Sequence, residues 1–357
     1  MNIVFCGPSA SSWSNTRHAL TYRSLMKGLC ARGHEVLCLE RDVPGFAARR
    51  EVEPNRAEQV RRYRSLEELR DMHAQAVREA DVTVVGSRVP DGIAVGEWVL
   101  QETQGVTAFY DLDTPLTLAG LESDACDYLS RPQVSAYDLY LSFIGGSPLD
   151  RLYAEFGARR PRPLYGSVDT DLYRPIERAE RWTLGYAGVY SPDRQPSLDR
   201  LLLDVARMLP ERRMVVAGSH YPPGIDWPSN VERIERLAPA EHPGFYASQR
   251  FALNLTGAQG PRSGFSPSVR IFEAAACGVP ILTDPWPGLD VFFRPGHDVL
   301  VVSQPADVLA CIGATDPLRR RRMADRARAR VLSEHSHLCR AEELEGYVAE
   351  VRGPHAV

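Results

Sequence analysis

The sequence predicts an α/β protein with two doubly wound domains, each a parallel sheet covered by helices on both faces. Short apolar runs alternate with helical patterns along the first half of the chain, and the alternation starts again after a polar stretch at 166–180. The 357 residues, of which 44% are hydrophobic and 25% charged, are sufficient for two hydrophobic cores. These observations favour two successive domains.

The first domain is predicted to span 1–165. Its apolar runs are mostly continuous, as is typical of strands buried on both faces of a sheet. Leu25 and Leu29 recur at helical spacing after the first run, and Arg32-Gly33-His34 ends that helix. Further helices are expected around 66–78 and 93–101. The predicted strands are Ile3–Cys6, Glu35–Glu40, Val82–Gly86, Thr107–Asp111 and Leu139–Phe143.

The second domain is predicted over 181–330, after a linker at 166–180 that shows neither helical nor strand periodicity. The helical tail at 331–357 is expected to pack back on the first domain. The domains are expected to be Rossmann-like and to face a central cleft, because ligands of parallel sheets bind outside the carboxyl ends of the strands. The predicted strands are 183–187, 213–218, 231–237, 251–255 and 279–283, with helices at 197–209 and 268–277.

Composition excludes several classes of function. A net charge of −4 argues against a nucleic-acid binder that depends on a basic field. Lys27 is the only lysine and lies outside any G-x-x-x-x-G-K-[ST] loop, so a phosphate must be bound by arginine, hydroxyl groups and backbone N–H groups. The seven cysteines form no C-x-x-C pair, which argues against a zinc site or a disulfide framework. Without a leader pattern or a long uncharged apolar segment, a reduced cytoplasmic protein is expected.

The strongest local signal lies at 266–283. Ser266 or Ser268 can cap a helix whose free N–H groups and positive dipole end form an anion site. Arg270 opposes that dipole and therefore needs an anionic partner. Glu273, three residues further on the same face, can accept the hydroxyl groups of a ribose. In the alternative interpretation, Arg270 and Glu273 only pair with each other on the surface.

This stretch resembles the donor-site signature of GT-B glycosyltransferases, Phe-Glu-Ala-x-Ala-x-Gly-x-Pro, here at 272–280. The chain is most similar to the CgeB-type (spore-maturation) glycosyltransferase family. Further similar blocks follow in the same order along the chain, at 12–23, 32–36, 110–115, 168–175, 181–188 and 190–194. The resemblance implies the GT-B fold, a nucleoside-diphosphate sugar as donor and no metal or other cofactor.

The resemblance also assigns residues to the donor. Glu273 would bind the ribose, while Phe265 stands where many retaining members have a second glutamate. Gly264, Phe265 and Ser266 would then offer backbone N–H groups and a hydroxyl to the pyrophosphate. Further donor contacts are expected from residues at the carboxyl ends of strands, although two of them have solvent-exposed alternatives. They are Gly188, Arg194 (otherwise a solvated loop arginine) and His220 (otherwise a surface histidine).

Three residues are candidates for catalysis. His18, near the start of the first helix, suits a general base or a contact to the donor sugar, with a cap or packing role as the alternative. Asp111 and Asp113 follow a strand, and acceptor or sugar contacts are preferred over a turn-forming role. Their D-x-D spacing also matches the metal site of GT-A enzymes, but two repeated α/β halves do not fit that fold.

The sequence therefore predicts a metal-independent glycosyltransferase that transfers a sugar to a hydroxyl group of a small molecule, a natural product or a glycan. Retention of configuration at the transferred sugar is favoured over inversion. It is expected to be a monomer or homodimer without nucleic-acid partners. Two alternatives stay open: a nucleotide-sugar epimerase or hydrolase on the same fold, and a catalytically inert binding or coat protein, which Phe265 favours.

Overall fold

A computed structural model describes residues 1–7, 17–42, 58–257 and 264–353. Two compact units divide the chain. Unit 1 comprises Met1–Ser167, Pro261–Ser266 and His337–Val357, and unit 2 comprises Val168–Gly260 and Pro267–Ser336. Among the described residues, no helix has both the length and the apolar character required to span a membrane.

Unit 1 contains a seven-stranded sheet whose paired strands are all parallel, in the order β3-β2-β1-β4-β5-β6-β7. Its strands are β1 (Asn2–Gly7), β2 (Glu35–Arg41), β3 (Glu58–Tyr63), β4 (Val82–Gly86), β5 (Val106–Asp111), β6 (Leu139–Ser142) and β7 (Pro161–Pro163). Its first six helices are α1 (Arg17–Ala31), α2 (Leu66–Arg78), α3 (Gly92–Glu102), α4 (Thr114–Glu122), α5 (Arg131–Ala136) and α6 (Ser147–Ala154).

Unit 2 repeats this architecture with six parallel strands in the order β10-β9-β8-β11-β12-β13. They are β8 (Trp182–Ala187), β9 (Met214–Ala217), β10 (Val231–Ile234), β11 (Gln249–Asn254), β12 (Ile281–Thr283) and β13 (Leu300–Val301). Its helices are α7 (Gln195–Leu198), α8 (Asp204–Met208), α9 (His242–Ala247), α10 (Val269–Ala276), α11 (Leu289–Phe292), α12 (Pro305–Ala314) and α13 (Pro317–Glu334).

The two-sheet prediction is confirmed, with local differences. The helix predicted at 197–209 starts at Gln195 and contains a π-helical segment, Asp199–Leu203, between α7 and α8. β12 begins at Ile281 rather than at Val279, because the intervening Pro280 has no N–H for a ladder bond. β3, with the charged sequence EQVRRY, was not predicted.

The last helix, α14 (His337–Arg352), packs against α1 within unit 1. Gly28 permits this contact, because a Cβ at that position would overlap with the backbone of His337. The buried core of unit 1 lies on the sheet and includes Phe109, Tyr137 and Tyr140.

Candidate functional site

In unit 2 the strand order reverses between β8 and β11. The chain runs from β8 through β9 to β10 on one side, and from β11 through β12 to β13 on the other. In open parallel sheets this switch point leaves a crevice at the carboxyl ends of the two central strands, where ligands bind. The candidate donor residues lie after β8, after β9 and after β11, at this edge of the sheet.

The segment after β11 leads into α10, whose N-terminus is partly exposed. Ser268 is the N-cap residue, and its hydroxyl accepts the backbone N–H of Arg270 at 3.3 Å. Ser266 and Ser268 are both half-buried. This helix end has the positive dipole that attracts an anion.

One turn inside α10, the Glu273 carboxylate is held by a buried polar cluster. Glu273 is 1% exposed. Its Oε2 accepts hydrogen bonds from Arg270 Nη1 at 2.7 Å and from the Tyr246 hydroxyl at 3.0 Å. Arg270 Nη1 also donates to His242 Nδ1 at 2.8 Å.

The cluster keeps Glu273 ionised. Burial alone would raise its pKa, but Arg270 and His242 together outweigh burial and lower the pKa from 4.5 to about 2. Burial, with the nearby Glu273 charge, raises the pKa of Tyr246 well above its usual value, so this phenol remains a donor. Arg270 and Glu273 do pair with each other, as the alternative interpretation proposed, but the carboxylate is buried and not on a surface.

At the carboxyl end of β8, Gly188 is bonded to the neighbouring strand and its loop. Its N–H donates to Ala217 O at 2.9 Å, and its carbonyl accepts the Tyr221 hydroxyl at 3.1 Å. A Cβ on Gly218 would overlap with the Gly188 carbonyl, so glycine at 218 allows the two backbones to approach.

Arg194 and His220 lie in the loops that follow β8 and β9. The half-buried Arg194 donates from Nη2 to the carbonyl of Val189 at 2.9 Å, which ties its side chain to the loop after β8. His220 is exposed and has a left-handed backbone, with φ of 67°. Their roles toward a donor stay predictions.

The prediction that the Phe265 backbone binds pyrophosphate is wrong. The N–H of Phe265 donates to Gly145 O at 3.0 Å, and Gly145 N–H donates back to Phe265 O at 2.9 Å. The Phe265 ring stacks on Tyr165 with centroids 6.3 Å apart. Phe265 is therefore held within unit 1, and its N–H is already used. A role for the Ser266 hydroxyl stays a prediction.

In unit 1 the structure favours the turn-forming alternative for Asp111. This residue is fully buried, and its carboxylate accepts from Asp113 N–H at 3.0 Å, Thr117 Oγ1 at 2.8 Å and the Tyr140 hydroxyl at 2.7 Å. Burial raises the pKa of Asp111. Because both carboxylate oxygens of Asp111 are hydrogen-bonded within unit 1, the structure does not support its predicted contact to an acceptor.

Asp113 and His18 have different outcomes. Asp113 is 7% exposed, is the N-cap residue of α4, and accepts from Arg88 Nε at 2.5 Å. Neither Asp111 nor Asp113 is therefore available as a simple D-x-D metal ligand. His18 lies in the first turn of α1, but its side chain lies outside the described residues, so its predicted role is unchanged.

Sequence reasoning missed the residues that hold the acid. His242 and Tyr246 precede Glu273 by 31 and 27 residues, and no local spacing links α9 to α10. It also missed Arg88, an arginine in a loop without a recognisable motif. These contacts arise only when the sheet brings distant segments together.

The two parallel sheets and their switch points define a protein of the doubly wound α/β class. Residues 194–346 match the family described as glycosyl transferase-like. No curated protein sequence matches the chain.

Solved structures extend the similarity over the whole chain. A sucrose-phosphate synthase from Thermosynechococcus elongatus is 15% identical, with a TM-score of 0.65, covering 96% of this chain and 97% of that one. HepE from Anabaena, in complex with UDP and glucose, is 13% identical, with a TM-score of 0.68 and coverage of 98% and 100%. An alpha-glucosyltransferase in complex with UDP-glucose and DNA is 12% identical, with a TM-score of 0.72 and coverage of 97% and 99%. The chain thus has the GT-B fold.

Proposed function

We propose that this protein is a glycosyltransferase that transfers a hexosyl group from a UDP-sugar to a hydroxyl group. The observation that carries the proposal is the buried, ionised Glu273, one turn inside a capped and partly exposed helix end at the switch point of a parallel sheet. The structures of HepE and of the alpha-glucosyltransferase in complex with UDP support uracil as the base of the donor.

In this proposal each part of the nucleotide has a partner of matching chemistry. Glu273 accepts hydrogen bonds from the ribose hydroxyl groups. Ser268 and the N-terminus of α10 bind the diphosphate, with Arg194 as a second cation. Positive charge from a helix end and from arginine stabilises the leaving diphosphate, so we propose that no metal ion is required.

The stereochemistry and the acceptor belong to the same proposal. We propose retention of configuration, with His18 as a contact to the donor sugar, because the Glu273 signature resembles retaining enzymes. The acceptor is a small molecule, natural product or glycan. The similarity to AviGT4, a glycosyltransferase involved in avilamycin A biosynthesis, supports a natural-product acceptor.

A second candidate, a catalytically inert sugar-nucleotide binder, is favoured by Phe265. The ring at this position stacks on Tyr165 and supplies no carboxylate to a donor sugar. A turnover experiment separates the candidates. Release of UDP from UDP-glucose only when an acceptor is added supports transfer, release without acceptor supports hydrolysis, and calorimetric binding without release supports the inert binder. If the protein does not bind UDP, transfer, hydrolysis and inert binding of a UDP-sugar are all rejected.

A further inference from the structure

The loop between β4 and α3 in unit 1 has an unusual backbone. Arg88 and Asp91 both adopt left-handed conformations, with φ of 62° and 57°, although neither is glycine. Such conformations cost free energy for residues with a side chain, and they cluster where a side chain must be held in a particular place. Glycine would suit the left-handed backbone at position 88 better than arginine. We therefore infer that the arginine side chain itself is needed there.

The surrounding structure holds this strained loop in place. Ser87, fully buried, donates its N–H to Tyr110 O at 3.0 Å and accepts Leu112 N–H on its hydroxyl at 3.0 Å. Val89 is buried in the core of unit 1. Asp91 lies 3.3 Å from Arg41. The loop is therefore fixed on both sides of Arg88.

Arg88 itself is anchored through one nitrogen, and its side chain is half-exposed. Its Nε donates to Asp113 Oδ2 at 2.5 Å, and the side chain is 48% exposed. Among the described residues, neither terminal nitrogen of this guanidinium has a hydrogen-bond partner. Asp111 in turn fixes Asp113, because it accepts the Asp113 N–H. Two buried acids thus orient one arginine toward solvent.

The position of Arg88 in the sheet is that of a ligand contact. It follows β4, and the strand order of unit 1 reverses between β1 and β4. The carboxyl ends at such a switch point form the binding crevice of open parallel sheets. The planar fork of an arginine, with its inner nitrogen already fixed, presents paired donors that match the two oxygens of a carboxylate or phosphate.

We propose that Arg88 binds a carboxylate or phosphate group of the acceptor, and that Asp113 is its positioning residue. The acceptor is thus an anionic hydroxyl compound. The assignment to an acceptor rests on the proposed glycosyltransferase function, but the anion site of unit 1 is measurable without turnover.

The test uses three probes that share one ring: glucose, glucuronate and glucose 6-phosphate. Ligand-observed NMR with the full chain is expected to show binding of at least one anionic probe and none of glucose. The stronger of the two anionic probes identifies the group as carboxylate or phosphate. Equal binding of glucose, or no binding of either anionic probe at tens of millimolar, overturns the proposal.

Variants separate ligand binding from a structural role. Arg88→Gln should weaken the binding of the anionic probe by at least about tenfold, because charged hydrogen bonds are lost. Arg88→Gly should also lose the probe and should be less stable than the wild type, because Asp113 loses its ion-pair partner, but the relief of left-handed strain should offset part of this loss in urea unfolding. Asp91→Gly, the matched backbone control, should keep the probe. Retention of the anionic probe by either Arg88 variant would overturn the proposal.

A second control addresses charge alone. Arg159 is half-exposed and pairs with Asp138 at 3.2 Å in the same unit, next to the first residues of β6 and β7. Arg159→Gln should leave binding of the anionic probe unchanged. If Arg159→Gln and Arg88→Gln weakened probe binding equally, the loss of net positive charge would explain both results, and the proposal would be overturned. UDP affinity, measured in parallel, should be unchanged by Arg88→Gln. Absence of UDP binding to the wild type would reject the proposed function while leaving the anion result interpretable.

Discussion

Replacing Glu273 by glutamine tests the site most directly, because the side chain keeps its shape and loses its charge. The carboxylate is 1% exposed and has a pKa of about 2 instead of 4.5. At about 1.4 kcal/mol per pKa unit, this difference stabilises the folded chain by about 3 kcal/mol. A lowered acid pKa gives stabilisation that is complete above pH 4.5 and is lost as the pH falls through 2.

Glu273→Gln should therefore be less stable than the wild type by about 3 kcal/mol at pH 7. The difference should narrow by about 1 kcal/mol at pH 4, where unfolded wild-type chains already take up a proton. Urea unfolding of both proteins at the two pH values measures this. An identical difference at pH 7 and pH 4 would show that Arg270 does not hold the carboxylate ionised.

The same variant should bind UDP more weakly by about 1.5–3 kcal/mol in calorimetry, because the ribose loses a charged acceptor. Asp298→Asn is the matched control. Asp298 is buried in unit 2 and accepts from Arg330 Nε at 3.0 Å and from Arg294 N–H at 2.9 Å. The Asp298→Asn variant should be less stable than the wild type but should bind UDP with unchanged affinity. Wild-type UDP affinity in Glu273→Gln would refute the assigned role.

Three further predictions concern the same edge of unit 2. Ser268→Ala should lower the free energy of unfolding by about 1 kcal/mol, because it removes the N-cap of α10. It should also weaken UDP binding in calorimetry, and unchanged UDP affinity would show that this helix end does not bind the diphosphate. Gly218→Ala should abolish UDP binding because its Cβ overlaps with a neighbouring carbonyl, whereas Gly224→Ala, with no atom within 4 Å of its Cβ, should not; equal effects would contradict the steric argument. Arg270→Gln should raise the pKa of Glu273, because burial then acts without the opposing guanidinium, so UDP affinity should fall more steeply with decreasing pH than in the wild type; parallel pH profiles of the two proteins would be the contrary result.

The sequence was sufficient to predict the central strands of both sheets. A strand such as Val82–Gly86 is buried along its entire length, and its continuous apolar run is visible without any other information. β3 was missed because it pairs only with β2 at the edge of the sheet and carries two arginines and a glutamate. Edge strands tolerate such charge, which removes the pattern that identifies them.

The candidate site was predictable only where it is local. Ser268, Arg270 and Glu273 lie within one helix start, so spacing alone placed them on one face. The contacts of Phe265 could not be predicted from the local sequence, because its backbone pairs with Gly145, which lies 120 residues earlier in the chain. No periodicity of the surrounding sequence encodes a bridge between segments so far apart.

The two interpretations of Arg270 that the sequence left open are compatible in the structure. One required an anionic ligand at the helix start, and the other required an ion pair with Glu273. The contacts of Arg270 to Glu273 and His242 use only Nη1, and its side chain is 24% exposed. The same fork carries further donors on its other nitrogens. One arginine can therefore keep the buried carboxylate ionised through Nη1, and its other nitrogens are further donors for the diphosphate that is proposed to bind at this helix end. This arrangement also accounts for a cation in the first turn of α10, since the charge of Glu273 offsets its unfavourable interaction with the helix dipole.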